Sequence, residues 1–569
     1  MEIQRKKHIA ILGGGPAGLF MFKRLVESGR TDLSINIFER KKQLGAGMPY
    51  SKEGANQEHI TNVSGNEIPS LVKPIAEWIQ GVPKETLLQY NIDPKNFNNY
   101  KVLPRLLFGN YLSAQFEMLI KQAERAGIYV QVFRGVEATD IIDLPQEEKI
   151  IVETDRNEKL EYDCVIICTG HNWPLKQEGT IPGYFDSPYP PAKLKIRLNH
   201  PVAIRGSSLT AIDAIRTMSR INGSFTREDG KLTYMISDDS PDFKLIMFST
   251  SGMLPAIRFH LEDSHLQKDA VLSKEKVAGN RSENEGFLSL DYVFEKNFKE
   301  LFRENEPVFY EQIKNMQMEE FVACMMGLRK RLDAFQLFKA EYTQAEKSIK
   351  RKESIYWKEM LAVLSFAMNY PAKYFSAEDM QRLQKDLMPL ISIVIAFVPQ
   401  GSAEEMLALN KAGVLSLIQV DYQSKVVADS RGGVIYHYKN ENNQLQSSYF
   451  QTYVDCIGQP ALSFEDFPFK SLLKDQRISS AKIKFRDTGT AIREMKEGNE
   501  KVKADGQGNY YLDVSGITIN DNFQIVDAYG AVNERIYIMA VPYIGGYNPD
   551  YSGLDFGEAA SAAIMESLI

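Results

Sequence analysis

Cysteine is scarce in this chain of 569 residues, which has only Cys164, Cys168, Cys324 and Cys456. These four form no CxxC pair and no cluster with metal-ligand spacing, whereas a secreted disulfide scaffold needs a far higher density. Cys164 and Cys168 would lie on one face of a strand beyond disulfide reach, which argues against a disulfide reductase. The sequence therefore predicts no metal site and a cytoplasmic location.

Long apolar runs and an excess of one charge are also lacking. The most apolar run, residues 387–398, is too short to cross a bilayer and contains Pro389, so we expect a buried strand or core segment. The formal net charge of -7 comes from interspersed charges, so no basic face favours nucleic acid or a membrane as a partner. The charged residues 1–8 run directly into a strand and leave no room for a signal peptide.

A glycine-rich turn between a strand and a helix is present near the N-terminus. Residues 9–12 read as a strand, and the next alternating stretch, residues 33–38, ends at Glu39, which predicts a βαβ unit. In the turn, Gly13 permits the tight bend, Gly15 lets the backbone approach a pyrophosphate, and Gly18 lets helix and strand pack closely. Glu39 lies at the spacing of a ribose-binding carboxylate. The predicted dinucleotide site comprises Gly13, Gly15, Pro16, Ala17, Gly18, Glu39 and Arg40.

A second strand, glycine turn and helix follow a proline-rich stretch at residues 182–191. Residues 201–206 predict the strand and turn, residues 211–218 the helix, and residues 245–248 the next strand. This pattern indicates a second, inserted Rossmann-like unit. Gly206, Ser207, Ser208 and Thr210 are its candidate nucleotide-binding residues.

The remaining pattern divides the chain further. Residues 285–385 read as helices with aromatic core stripes, and strands at 452–457 and 535–541 with a helix at 556–568 return to the first unit. For the basic cluster Lys347, Lys350, Arg351 and Lys352 we favour a solvated helix face over a binding patch. The predicted domains are 1–195, 196–284, 285–385, 386–460 and 461–569, of which the second and fourth form one unit and the first and last another.

Several separated segments carry a family resemblance. They are residues 45–51 (GAGMPYS), 59–62 (HITN), 104–112 (PRLLFGNYL), 168–171 (CTGH), 206–213 (GSSLTAID), 251–255 (SGMLP) and 396–399 (AFVP). The chain resembles the two-dinucleotide-binding-domain flavoproteins, and more narrowly bacterial FAD/NAD(P)-binding proteins distantly similar to class B and N-hydroxylating flavin monooxygenases. The resemblance implies an α/β fold: a Rossmann-type FAD domain, an inserted second Rossmann-like nucleotide domain and a mostly helical insertion.

The same resemblance implies cofactors and further site residues. The first glycine turn would bind FAD, and the second would bind NADH or NADPH. The residues expected near FAD in this way are Gly47, Met48, Asn62, Thr169, Gly170 and Gly546, together with the helix that follows Asp555. Ser208 stands where the family usually has glycine, which puts close approach of a nicotinamide dinucleotide in doubt. No arginine directly follows the next strand to bind a 2′-phosphate, although Arg258 could fold back, so NADH is favoured over NADPH.

Other candidates have two interpretations each. Two roles are open to His59 and to His171, namely contact with flavin or substrate, or a purely structural role. The structural role is favoured for each residue taken by itself. Arg105 clamps a phosphate or carboxylate, or forms a structural ion pair. Asp550 and Asp555 are flavin-side groups or cap residues. The sequence assigns no catalytic residue.

Three functions follow from these predictions. The resemblance favours an NAD(P)H-driven monooxygenase that oxygenates a small amine or amino acid through a flavin hydroperoxide. The Baeyer-Villiger motif FxGxxxHxxxW is absent, which disfavours ketone oxygenation. The alternatives are a reductase or dehydrogenase without oxygen insertion, and a non-catalytic flavin-binding sensor that docks through its helical insertion. The substrate and the oligomeric state stay open.

Overall fold

The computed structural model describes residues 6–171, 173–262, 271–440, 442–459, 462–549 and 553–568. The strands are β1 (Lys7–Leu12), β2 (Leu33–Glu39), β3 (Ile60–Ser64), β4 (Val102–Pro104), β5 (Tyr129–Arg134), β6 (Ala138–Leu144), β7 (Lys149–Thr154), β8 (Lys159–Tyr162), β9 (Cys164–Ile167), β10 (Tyr184–Phe185), β11 (Pro201–Arg205), β12 (Gly223–Glu228), β13 (Lys231–Ile236), β14 (Lys244–Ser249), β15 (Leu415–Gln419), β16 (Lys425–Ala428), β17 (Val434–Lys439), β18 (Leu445–Phe450), β19 (Thr452–Asp455), β20 (Ser480–Lys484), β21 (Val502–Ala504), β22 (Tyr510–Ile517), β23 (Gln524–Val526) and β24 (Val532–Ile538).

The helices are α1 (Pro16–Glu27), α2 (Ile75–Trp78), α3 (Lys84–Leu88), α4 (Arg105–Arg125), α5 (Leu209–Ile221), α6 (Lys274–Glu283), α7 (Leu290–Asn297), α8 (Phe302–Asn305), α9 (Pro307–Ile313), α10 (Met318–Arg329), α11 (Ala334–Arg351), α12 (Tyr356–Met368), α13 (Ala377–Arg382), α14 (Met388–Val394), α15 (Gln400–Lys411), α16 (Lys470–Lys474), α17 (Thr488–Lys496) and α18 (Gly553–Leu568). None of the helices in the described ranges is both long and apolar enough to cross a membrane.

The first unit is built on a sheet with strand order β23-β24-β9-β1-β2-β5. Strands β24, β9, β1, β2 and β5 are parallel, while β23 pairs antiparallel with β24 at the edge. The central strands are nearly continuous runs of buried apolar residues, as expected for parallel strands covered on both faces. Their carboxyl ends therefore meet along one edge, where open α/β sheets bind ligands.

The C-terminal segment completes this first unit. Strand β24 pairs with β9 through Ile536↔Val165 and Ile538↔Ile167. Helix α18 packs on α1, and Gly557 permits the close approach because a Cβ at that position would come within 2.8 Å of the Phe20 ring. The first and last parts of the sequence thus share one sheet and one core.

The second unit is a parallel sheet with the order β10-β19-β11-β14-β15. Its core is separate from that of the first unit and contains the buried face of α5, the inward side chains of β11 and β14, and residues of α15. The antiparallel strands β16, β17 and β18 cover its other face through a small aromatic cluster around Phe248 and Tyr436, whose rings stack at 4.2 Å.

The helical insertion comprises α6 to α14, between the two parts of the second unit. Most of its buried side chains belong to the same core as the first sheet, whereas Phe335 and Phe338 of α11 pack into the core of the second unit. The run at residues 387–398 lies largely in α14, a buried helix rather than a strand, and Pro389 lies in its first turn, just after the π-helical turn Leu383–Leu387 that precedes α14. Two Rossmann-type units with a helical insertion confirm the predicted fold class.

Candidate functional site

A cleft opens at the carboxyl ends of β1, β2, β9 and β24. It encloses about 1100 Å³ and is open to solvent. The predicted residues Gly13, Gly15, Pro16, Ala17, Glu39, Arg40, Gly47, Met48, Thr169 and Gly170 all line it. Gly18 lies behind it, in close contact with the Gly13 backbone. The structure therefore brings residues from four separate stretches of sequence to one edge of the first sheet.

The start of α1 points an uncapped helix end at this cleft. Gly15 is the N-cap residue, Pro16 occupies the first turn, and neither a capping side chain nor an acidic residue stands there. The free N–H groups and the helix dipole favour an anion at this end. Gly15 and Gly47 face each other, with a Cβ on Gly15 only 3.4 Å from the Gly47 Cα, so both walls of the passage are bare backbone.

Glu39 is held at the end of β2 by two backbone donors. The Gly14 N–H donates to Oε2 at 2.9 Å and the Lys41 N–H donates to Oε1 at 2.8 Å. Burial raises the pKa of this carboxyl, and the two backbone hydrogen bonds only partly counter that effect. Each oxygen retains acceptor capacity on its cleft side, which suits the hydroxyls of a ribose.

A second cavity of about 810 Å³ continues from the first. Gly13, Glu39, Arg40, Thr169, Gly170 and His171 line both. The second part is bounded by Val136 and Glu137 after β5 and by Phe469 and Tyr543. The two cavities therefore adjoin each other along the glycine turn at Gly13.

One buried polar atom in the cleft has no partner. The Thr169 Oγ1 is buried and forms no hydrogen bond among the described residues. Buried hydroxyls are nearly always paired, so an unpaired one at the junction of the two cavities indicates a ligand group there. The bare glycine walls, the uncapped helix and this hydroxyl all fit FAD.

His171 and Cys168 lie beside Thr169 in the same wall. Burial lowers the pKa of the His171 imidazole, and its ring stacks on Trp173 with 5.4 Å between centroids. Burial raises the pKa of the Cys168 thiol, which therefore stays protonated at neutral pH. The His171 imidazole and the Cys168 thiol are therefore both uncharged at neutral pH.

The second glycine turn lies at the carboxyl end of β11. Gly206 has a φ of +110°, and a Cβ there would come within 2.8 Å of the Cys456 carbonyl oxygen. Ser207 is buried and donates to the Met253 carbonyl at 2.8 Å. Ser208 is the exposed N-cap residue of α5 but makes no capping hydrogen bond, and Thr210 lies in the first turn of the helix. Gly206 thus has nearly the same φ as Gly13, and Ser208 adds a side chain at the start of α5.

Arg105 lies in an interdomain ion pair and does not line the FAD cleft, which fits the structural interpretation of this residue. Its Nη1 donates to Asp213 Oδ2 at 2.6 Å and its Nε donates to the Ile60 carbonyl at 3.1 Å. Tyr189 donates to the same Asp213 oxygen at 2.8 Å. Burial alone would raise the pKa of the Asp213 carboxyl, but the Arg105 guanidinium holds it below its ordinary value. The pair joins the start of α4 to α5 of the second unit.

His59 belongs to the same interdomain cluster. Its side chain is fully buried, with Nδ1 accepting from the Asn56 N–H at 3.0 Å and Nε2 3.2 Å from the Asp213 carbonyl oxygen. Burial lowers the pKa of the imidazole. The structural interpretation of His59 fits this environment, since every ring nitrogen has a protein partner.

Three further residues of interest from the sequence lie away from the sites expected for them. Asn62 lies outside the cleft, and its carbonyl accepts from Arg258. Arg258 is buried in an ion pair with Glu67, so it does not fold back to the second glycine turn. Gly546 also lies outside the cleft, where its N–H donates to the Ser515 carbonyl at 3.0 Å because the chain there packs tightly on β22.

Asp555 lies in the first turn of α18, next to the cleft-lining Leu554 and Phe556. Its Oδ1 is buried without a hydrogen-bond partner among the described residues. Burial, with smaller contributions from Glu67 and Glu558, raises the pKa of this carboxyl to about 7. Asp550 lies outside the described residues.

The apolar wall of the cleft was anticipated from the sequence only at Met48 and at the start of the helix that follows Asp555. It consists of Met48, Pro49, Tyr50, Met539, Val541, Pro542, Leu554 and Phe556. Met539 directly follows β24, and residues that follow parallel strands of one sheet converge at the same edge. The position of Met539 directly after β24 is the sequence feature from which this wall could have been predicted.

Two family models match the chain. Residues 10–172 match the FAD-NAD(P)-binding family, and residues 273–395 match the YdhS-like middle domain, which covers most of the helical insertion. The uncharacterized protein YdhS of Escherichia coli K12 is 28% identical over 475 residues, covering 82% of this chain and 86% of that protein.

Solved structures of similar fold include two monooxygenases. The FAD-bound cadaverine monooxygenase DfoA from Erwinia amylovora aligns over 99% of this chain and 94% of its own, with 10% identity and a TM-score of 0.47. The lysine monooxygenase NbtG from Nocardia farcinica aligns over 98% and 99%, with 11% identity and a TM-score of 0.39. The family model identifies residues 10–172 as an FAD-NAD(P)-binding domain.

Proposed function

We propose that this protein is a cytoplasmic, FAD-dependent monooxygenase that takes electrons from NADH or NADPH and oxygenates a small amine or amino acid. The observation that carries the proposal is a cleft that fits FAD, with an apolar wall on one side and no second thiol beside it. The proposal of an amine as the substrate rests on the resemblance of the sequence segments to N-hydroxylating flavoproteins.

Different residues of the cleft would bind different parts of the cofactor. The N-terminus of α1 and the backbone at Gly15 would bind the pyrophosphate, and Glu39 would accept from the ribose hydroxyls. Bound FAD supplies hydride acceptance from the nicotinamide and electron transfer to oxygen. The apolar wall would keep water away from the reacting end of the cofactor, which favours transfer of oxygen to the substrate over release of peroxide.

The cysteines argue against electron transfer through a protein dithiol. Cys164 and Cys168 are four residues apart at β9, a separation of about 13 Å at roughly 3.3 Å per residue. A disulfide needs Cα atoms within about 7 Å. Cys168 is therefore an isolated, protonated thiol, which favours a small molecule as the acceptor of the electrons.

The second candidate is a reductase that uses the same cleft without inserting oxygen. It is favoured by the opening of the cleft to solvent, because water that reaches a reduced flavin promotes release of peroxide over transfer of oxygen to a substrate. A flavin-binding sensor is the third candidate and would leave the second glycine turn unused.

The test uses purified, FAD-saturated protein with NADH or NADPH, first without oxygen and then in ¹⁸O₂ with a panel of diamines and basic amino acids. We expect the nicotinamide to bleach the flavin in the absence of oxygen and one amine to gain a labelled hydroxyl group, detected by mass spectrometry. Bleaching with peroxide release but no labelled amine would support the reductase and overturn the monooxygenase. No bleaching by either nucleotide would overturn both and leave the sensor.

A further inference from the structure

A cavity distinct from the FAD cleft lies between the helical insertion and the antiparallel sheet β20-β22-β21. It encloses about 810 Å³ and is open to solvent. One wall comes from the end of α6 and from residues 286–287 and 373–375, and the other from β20 and β22. The two walls come from segments that are far apart in the sequence.

The wall from the insertion is a guanidinium stacked on an aromatic ring. The Arg281 guanidinium lies 3.9 Å from the centroid of Tyr374. Its Nε donates to the Gly286 carbonyl at 3.0 Å, and the arginine forms no ion pair with a described residue. The Tyr374 hydroxyl in turn donates to Asp521, which fixes the ring. Stacking and the Nε hydrogen bond thus orient the guanidinium, while its two terminal nitrogens stay available.

The opposite wall presents two lysines on one strand. Lys482 and Lys484 are both exposed on the same face of β20, because alternate residues of a strand share a face. The Lys482 ammonium lies 4.6 Å from the centroid of Tyr511 on the neighbouring β22. Neither lysine forms an ion pair within the described part of the chain.

The side chains that line this cavity carry more positive than negative charge. Lys373 also lines it, but its ammonium is neutralised by Asp521 at 2.6 Å. Asp527 is the single acidic residue among the described lining residues, and its Oδ1 accepts from the N–H groups of Tyr529 and Ala531, both at 2.8 Å. Three cationic side chains with no ion-pair partner therefore converge on a space with one carboxylate, whose Oδ1 is already engaged by backbone donors.

We propose that this cavity binds a small planar organic anion, an aromatic ring that carries a phosphate or a carboxylate. The terminal nitrogens of Arg281 match the paired oxygens of either group, and Lys482 and Lys484 add charge from the facing wall. The open face of the guanidinium and the half-buried ring of Phe287, which has the Arg486 guanidinium 5.4 Å from its centroid, offer flat surfaces for the ring. This site is independent of the reaction at the FAD cleft.

Calorimetric titration of FAD-saturated protein with phenyl phosphate and with benzoate tests the proposal, since saturation blocks binding at the first glycine turn. We expect at least one of the two to bind, with an affinity that falls as salt rises. The tighter of the two identifies the anionic group. Phenol and inorganic phosphate, which each present half of the ligand, should bind at least tenfold more weakly.

Point variants test whether the aromatic anion binds in this cavity. Arg281→Gln and Lys482→Gln should each weaken the better ligand about tenfold or more, whereas Lys425→Gln, on the exposed edge strand β16 of the second unit, should not change its affinity. The flavin spectrum and melting temperature of each variant report its folding. The proposal is overturned if neither probe binds, if inorganic phosphate or phenol binds as tightly as the aromatic anions, or if folded Arg281→Gln keeps the full affinity.

Discussion

At the scale of single residues, Gly13 and Gly29 share a left-handed backbone conformation, but a side chain added at the two positions would meet different surroundings. Both have positive φ, at +114° and +69°. A Cβ on Gly13 would overlap the carbonyl of Cys168 at the floor of the cleft, whereas one on Gly29 would meet nothing within 4 Å. The backbone conformation alone costs an alanine roughly 1 kcal/mol, and the overlap adds to that only at Gly13.

We therefore expect Gly13→Ala to lose FAD binding and Gly29→Ala to keep it. Flavin retained after gel filtration and the free energy of unfolding measure the two effects. Equal flavin content in both variants would show that the turn after β1 does not form the cofactor site.

Asp555 predicts a pH dependence of stability. Its pKa is raised from 3.8 to about 7 in the folded protein, so the unfolded chain loses this proton first as the pH rises. Stability attributable to this group therefore falls between about pH 4 and pH 7, by up to a value on the order of 4 kcal/mol. Asp555→Asn should be more stable than the natural chain at pH 8, with the difference shrinking toward pH 5.

Urea unfolding at several pH values in saturating FAD measures this difference. Asp238→Asn, at an exposed turn, is the matched control and should follow the natural chain at each pH. A gap between Asp555→Asn and the natural chain that does not change with pH would contradict the raised pKa.

At the scale of elements, the Arg105–Asp213 pair couples α4 of the first unit to α5 of the second. Removing one partner of a buried pair leaves the other uncompensated, so Arg105→Leu should reduce the free energy of unfolding by about 3–5 kcal/mol. FAD affinity should change less than about threefold, because Arg105 lies outside the cleft. Arg227→Leu, which breaks the exposed pair with Glu404, should leave stability nearly unchanged.

These quantities come from denaturant unfolding and flavin fluorescence titration. A large loss of FAD affinity in folded Arg105→Leu would restore the phosphate-clamp interpretation of this residue.

The exposed N-cap of α5 gives a prediction for the electron donor. Ser208 makes no capping hydrogen bond, so Ser208→Gly costs little stability while it removes a side chain from the path of the pyrophosphate. We expect the KM for the nicotinamide to fall by about threefold to tenfold in anaerobic flavin reduction. Ser207→Gly is the contrasting variant, because it removes the hydrogen bond to Met253 and should give no such gain.

The same elements show what the sequence could predict. Both βαβ units and the first glycine turn follow from local patterns of apolar and glycine residues, and the structure has them. The partner of Arg105 could not be predicted, because Asp213 lies on another unit and no short-range pattern links the two. Most of the apolar cleft wall was missed for a related reason, since Met539 and Leu554 have the spacing of ordinary core residues until the sheet places them at the cofactor edge.

At the scale of the whole molecule, the helical insertion shares a core with the first unit. FAD binding should therefore stabilise the insertion as much as the cofactor domain, by about 2.7 kcal/mol at a concentration one hundred times the Kd. The three tryptophans permit a direct test, because Trp78 reports on the first unit and Trp357 on α12. Variants that retain only one of these two should show equal FAD-induced increases in melting temperature.

Thermal melting followed by fluorescence of each single-tryptophan variant measures this. An FAD-dependent shift at Trp78 without one at Trp357 would mean that the insertion unfolds independently.

The pairing of β24 with β9 has a consequence for biosynthesis. Gly13 and Phe556 line the same cleft but are more than 500 residues apart in the sequence. At ribosomal rates of about 5–20 residues per second, the N-terminal glycine turn waits roughly half a minute to two minutes for its opposite wall to be translated. Because β24 is the last strand to join the sheet, the chain cannot enclose FAD before Phe556 has been translated, and a product truncated before α18 lacks a finished cofactor site.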